Sequence, residues 1–142
     1  MKQMPLSPLV LLVEDDDQDA LLFERVLRDQ SPRARLVRAT QGGEALEILK
    51  NNELDQPDCI VLDLKLKGED GIWVLQGLLN DQSLDTIPVI VFSGNPERMR
   101  IASSAFNNVA SLVRKPQSLE DYSAALLIVC SILQTAVKIR AI

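Results

Sequence analysis

Histidine is absent from all 142 residues. That excludes a Ser-His-Asp triad, a His-ligated zinc and a phosphohistidine relay on this chain itself. Whatever chemistry occurs has to run on carboxylates, lysines and hydroxyls. There are only two cysteines, Cys59 and Cys130, both inside apolar runs. They read as small core residues of a reduced, cytoplasmic protein rather than as a disulfide. No window reaches the roughly 18 consecutive apolar residues that a membrane span needs. The first residues carry Lys2 and a short apolar run, but Pro5 and Pro8 interrupt it and acids follow. Without a small-residue cleavage site, no signal peptide is expected here. Basic charge is in the minority: the net charge is −5 and the pI about 4.7. That argues against nucleic acid and anionic membranes as direct partners.

What is abundant is acid in one place. In "VLLVEDDDQDA" an apolar run ends and Glu14, Asp15, Asp16, Asp17 and Asp19 follow at once. Carboxylates so close repel unless a cation or a helix terminus takes up the charge. Asp16 or Asp17 suits a helix cap and Asp19 a first helical turn, where negative charge is favoured. Glu14 and Asp15 are left for another purpose.

At 46% hydrophobic and 25% charged residues, the chain has the composition of one globular domain. Short aliphatic runs without alternation occur at Leu9 to Val13, Cys59 to Leu62, Pro88 to Phe92 and Ser111 to Val113, with a more mixed one at Ala34 to Ala39. Such runs suit strands covered on both faces. Helical spacing intervenes: Ala20, Phe23, Val26 and Leu27; Ala45, Leu46, Ile48 and Leu49 after Gly42-Gly43; Ile72, Leu75, Leu78 and Leu79; a weaker segment from Asn95 to Phe106. A last helix spans 118–139, with Ser118 and Asp121 spaced as a cap pair. Strict strand–helix alternation predicts an α/β domain, a parallel sheet with helices on both faces. The pattern uses nearly all of 1–142, with a core of about 9–135, so no separate output domain is expected.

Sites on open parallel sheets form at the carboxyl ends of strands. There stand Glu14 and Asp15, Asp63, Ser93 with Gly94, and Lys115 with Pro116. Three carboxylates without His or Cys make an oxygen-rich site suited to Mg²⁺. One carboxylate can attack phosphorus, and lysine and a hydroxyl can bind the phosphoryl oxygens.

The segments "LLVEDD", "CIVLDLKLKGEDG", "IPVIVFSG" and "LVRKP", in this order, resemble the receiver domains of two-component response regulators over roughly Leu9 to Thr135. The resemblance implies a flavodoxin-like doubly wound sheet of order 2-1-3-4-5 with five helices. It implies Asp63 as phosphoacceptor and Mg²⁺ held by Asp15 and Asp63, with Glu14 acting through water and the Lys65 backbone carbonyl as a further ligand. Ser93 would be the switch hydroxyl and Lys115 the phosphoryl-binding lysine. A partner sensor histidine kinase, phytochrome-like in some short receivers, would donate the phosphoryl group, and an unidentified downstream protein would receive the signal. Catalysis by the chain would be limited to its own phosphorylation and dephosphorylation.

Two positions depart from the family. Lys67 stands where proline is usual, and Leu112 where an aromatic switch residue is common. Leu112 speaks against the usual aromatic switch but not against phosphorylation; it leaves open, against the intact acids, Ser93 and Lys115, a degenerate receiver that binds partners without phosphorylation. A phospho-aspartate hydrolase would want an acid two residues after the nucleophile, where Lys65 stands. A flavodoxin-like FMN site would place a phosphate against Glu14 to Asp17.

The last helix also predicts a homodimer. Leu119, Tyr122, Leu126, Val129, Leu133 and Val137 form one stripe for the sheet. Ile128, Ile132, Thr135 and Ile139, with Ala125 beside them, form a second on the opposite face, suited to another helix. Lys138 and Arg140 set the expectation that the run is too short for a membrane. Trp73 is expected to be a partly buried packing residue.

Overall fold

The computed structural model describes residues 7–51, 55–66 and 69–140. Lys67 therefore lies outside the described residues. Five strands, β1 (Leu9–Val13), β2 (Arg35–Ala39), β3 (Cys59–Leu62), β4 (Val89–Ser93) and β5 (Val109–Arg114), pair in parallel in the order β2-β1-β3-β4-β5. Between and after them come α1 (Asp17–Gln30), α2 (Gly42–Lys50), α3 (Gly71–Leu79), α4 (Pro96–Ala105) and α5 (Leu119–Arg140). This is the expected doubly wound fold and order.

The lack of alternation in the strands has a direct cause. On one sheet face Val10, Leu12, Cys59, Val61, Ile90 and Phe92 pack with α1 and α5. On the other, Leu11, Val13, Ile60, Leu62, Val89 and Val91 pack with α2 and α3. Every residue of β1 and β3 is buried. Each large aliphatic side chain so buried contributes roughly 1.5–3 kcal/mol. The predicted stripe of α1 is the buried one: Ala20, Phe23, Val26 and Leu27. Phe92 meets Phe23 and Tyr122 edge-on, at centroid distances of 6.1 and 5.6 Å, tying α1 and α5 to β4.

Differences from the sequence reading follow from exposure. β5 begins at Val109, two residues early, because this edge strand buries only Val113 and lacks a long aliphatic run. A two-stranded antiparallel ladder, Lys65–Leu66 with Glu69–Asp70, follows β3 unannounced. Trp73 is exposed rather than partly buried. In α5, Tyr122, Leu126, Val129 and Leu133 face the core as expected, but Leu119, in the helix's first turn, is 64% exposed. Ala125 is buried in the core, not part of the outer stripe. Of that outer stripe Ile128, Thr135 and Ile139 are exposed, while Ile132 packs partly against the core.

α5 is long and apolar enough to cross a membrane by length and composition, so its length does not exclude a span as the sequence reading held. Only 33% of that stretch is buried, with Tyr122, Leu126, Val129 and Leu133 in the cluster shared with α1 and the sheet.

Candidate functional site

β1, β3, β4 and β5 all run the same way, so the residues just past their ends gather on one edge. The backbone fixes their register. The Asp63 N–H donates to the Val13 carbonyl at 3.1 Å, Glu14 N–H to Ala39 at 3.0 Å, and Lys115 N–H to Ser93 at 2.9 Å.

At the centre is the Lys115 ammonium. Its Nζ donates to Glu14 Oε2 at 2.6 Å, Asp19 Oδ2 at 3.0 Å and Asp63 Oδ2 at 3.1 Å. Three N–H groups thus meet three carboxylates. Glu14, Asp15 and Asp63 also offer oxygens all within 4.8 Å of one another. Lys115 therefore takes up part of the charge that the acidic run raised, but not all of it. Burial pushes the Glu14 carboxyl up to about 7, despite its hydrogen bond to Lys115 and the lysine's charge; Asp63 pushes the same way. For Lys115 burial acts to lower the pKa, yet its bond to Glu14 and the charges of Asp63 and Glu14 outweigh this and raise it. The remaining excess of negative charge, on hard oxygen donors, fits a small divalent cation.

Asp63 is 7% exposed, and its Oδ1 accepts the Lys65 N–H at 3.1 Å. Ser93 is fully buried, and its Oγ accepts the Asn95 N–H at 3.2 Å. That contact leaves the hydroxyl proton to be donated elsewhere. Gly94 is exposed, and a Cβ there would meet nothing within 4 Å. Leu112 sits on the outer edge strand, 38% exposed.

The other acids of the run divide as their positions suggest, with one exception. Asp16 caps α1, accepting the Gln18 and Asp19 N–H groups at 2.9 and 3.0 Å. Asp17 pairs with Arg38 at 2.8 Å. Asp19, read as a first-turn or solvated acid, instead reaches Lys115 across 96 residues of sequence. Gly71, the last residue of the segment "CIVLDLKLKGEDG", is a functional position that the sequence alone does not single out. A Cβ there would lie 2.6 Å from both the Asp63 carbonyl oxygen and Leu64 Cα. The signal in the sequence is a glycine closing the loop after Asp63.

This strand order and this carboxylate–lysine edge define a class, the receiver domains of two-component signalling. The chain belongs to it: the response regulator receiver domain family matches residues 10–127. Among individual proteins, it is 31% identical over 116 residues to the probable methanogenesis regulatory protein FilR2 of Methanothrix harundinacea, covering 80% of this chain and 75% of that one. It is 28% identical over 117 residues to the response regulator Rcp1 of Synechocystis, covering 80% of each. The crystal structure of the phosphorylated cyanobacterial phytochrome response regulator RcpA superposes with a TM-score of 0.82 at 26% identity, over 91% of this chain and 95% of that one. The Mn²⁺-bound form of Rcp1 gives 0.78 at 29% identity, over 90% and 96%.

Proposed function

We propose that the chain is a phosphoacceptor in a two-component relay, taking a phosphoryl group on Asp63 from a sensor histidine kinase. The observation that carries this reading is Lys115 Nζ bridging Asp63 and Glu14 beside Asp15, at the one edge where the strand ends meet. Asp15 and Asp63, with Glu14 through water and the Lys65 carbonyl, would hold Mg²⁺. Mg²⁺ bound there supplies the positive charge that lets two anions approach.

One Asp63 oxygen attacks phosphorus. A P–O bond forms as the bond to the leaving group breaks, and that group keeps the electron pair. Lys115 then turns an N–H toward a phosphoryl oxygen, and the Ser93 hydroxyl donates to another. No turnover of an outside substrate is assigned to the chain. The likeness to RcpA supports a phytochrome-like kinase as donor. With Mg²⁺ and acetyl phosphate, intact mass should show one phosphate per chain, absent in Asp63→Asn. No adduct on the natural protein would favour a binding module that works without phosphorylation. Multiple turnover of an added phosphate ester would favour a hydrolase.

The output reading is a second copy of the chain docked on α5 and β5. Leu112 and Ile128 line one hollow between strand and helix with Pro116 and Asp121. Exposed Ile139 continues the face along α5. Arg114 and Asp121 flank it with opposite charges, so a two-fold axis would set each against its opposite. Because Ile132 is partly committed to the core, the discriminating variant is Ile128→Glu/Ile139→Glu. Sedimentation at tens of micromolar should give a dimer for the natural protein and a monomer for this variant. Identical monomers would remove the interface.

A further inference from the structure

Resting on the phosphoacceptor reading, we propose that Asp19 is a positioning residue that holds Lys115 back toward α1 and thereby sets how strongly a phosphoryl group at Asp63 is bound. The geometry gives the direction. Lys115 Nζ lies 2.6 Å from Glu14 and 3.0 Å from Asp19, and 3.1 Å from Asp63. All three of its protons are engaged. Glu14 is a buried neighbour at the strand end, with a side chain 3% exposed. Asp19 is different: it comes from the first turn of α1, and its side chain is 45% exposed.

A phosphoryl group on Asp63 adds negative charge beside Lys115 and draws the ammonium inward. Asp19 opposes that movement by its hydrogen bond. It also opposes the added anion directly, as a like charge on the same lysine. Both effects have one sign, so neutralising Asp19 strengthens phosphoryl binding. Solvent at a half-exposed carboxylate limits the size of the effect. With repulsion between two charges about 6 Å apart at an effective dielectric of about 40–80, the expected gain is about three- to tenfold.

Asp17 and Asp19 both stand in the first turn of α1, where either would serve the helix dipole. Only Asp19 reaches the lysine; Asp17 turns the other way to Arg38, 2.8 Å away with a carboxylate 90% exposed. The two acids are thus a matched pair, alike in charge and helix position and different in partner.

The test titrates beryllofluoride, with Mg²⁺ present, into the full chain by isothermal calorimetry. Asp19→Asn keeps size and shape and removes the charge; it should bind beryllofluoride three- to tenfold more tightly than the natural protein. Asp19→Glu restores the charge and should return the affinity to near the natural value. Asp17→Asn removes the same charge from the same helix turn and should leave the affinity unchanged. Equal tightening in Asp17→Asn and Asp19→Asn would mean a general charge effect and would overturn the positioning role. Unchanged or weaker binding in Asp19→Asn, with the natural protein binding normally, overturns it as well. A lowered melting temperature with unchanged affinity would show a structural contact only. A natural protein that does not bind beryllofluoride at all, in the same way as Asp63→Asn, overturns the phosphoacceptor reading and this inference with it.

Discussion

Asp15→Ala should lower Mg²⁺-dependent phosphorylation of Asp63 by roughly two to three orders of magnitude, while Asp16→Ala one residue on should leave it nearly intact. The two acids are neighbours in sequence but serve different structures. Asp15 offers an oxygen within 4.8 Å of those of Glu14 and Asp63. If these oxygens hold Mg²⁺ as proposed, removing one of them forfeits charge stabilisation of several kcal/mol, and each ~1.4 kcal/mol is tenfold in rate. Asp16 points its carboxylate at the Gln18 and Asp19 N–H groups instead. Its contribution to the site is a backbone N–H on Glu14 Oε1 at 3.1 Å, which alanine retains. Asp16→Ala should therefore cost about 0.5–2 kcal/mol of stability, the usual value of an N-cap. Phosphorylation followed by intact mass and melting followed by circular dichroism separate the two effects. Normal phosphate uptake in Asp15→Ala would move the metal site elsewhere.

The same split shows how far residues alone could be read. The cap role of Asp16 is local, spanning two or three residues, and the run "EDDDQD" narrows the cap to Asp16 or Asp17. The apolar runs announce β1, β3 and β4 because both faces of each are buried, which leaves no polar alternation to confuse them. The edge strand β5 has one face open, and only its centre was legible. The ladder at Lys65–Leu66 and Glu69–Asp70 has strands two residues long, too short for any period to register.

The site was legible where it depended on strand ends, since parallel topology alone gathers Glu14, Asp63, Ser93 and Lys115. It was not legible where it depended on a helix reaching back. Asp19 meets Lys115 only because α1 packs beside α5 at that corner, and no spacing along the chain encodes that distance. The α5 stripe for the sheet was legible at Tyr122, Leu126, Val129 and Leu133, and the departures lie at the margins of the two stripes. A helical wheel assumes a flat partner along the whole helix, but Leu119 in the first turn is exposed. Further along, the core reaches partly around the helix to Ile132 and fully to Ala125.

Gly71→Ala is the substitution expected to harm both fold and function most for its size. The added methyl would lie 2.6 Å from the Asp63 carbonyl oxygen and from Leu64 Cα, and 3.1 Å from the Leu64 carbonyl carbon. These are backbone atoms, so no side-chain rotation relieves the contact. Either α3 withdraws or the loop after β3 moves. α3 is held by Val74, Leu75 and Leu78, all fully buried, and by the Gly71 N–H donating to the Leu64 carbonyl at 2.9 Å. The loop carries Asp63, whose carboxylate is fixed by the Lys65 N–H and Lys115. Overpacking of this kind typically costs about 1–3 kcal/mol. For a domain of this size that lowers the melting temperature by roughly 4–12 °C. The chemical effect should exceed the stability effect, because a shift of about 1 Å in a reacting group can cost on the order of 100-fold in rate. Phosphorylation should therefore be measured well below the lowered melting temperature, where the variant is fully folded. A 100-fold slower uptake there, with helical content retained, is the expected result. Natural melting and natural uptake together would mean that the loop has slack and that Gly71 does not set the position of Asp63.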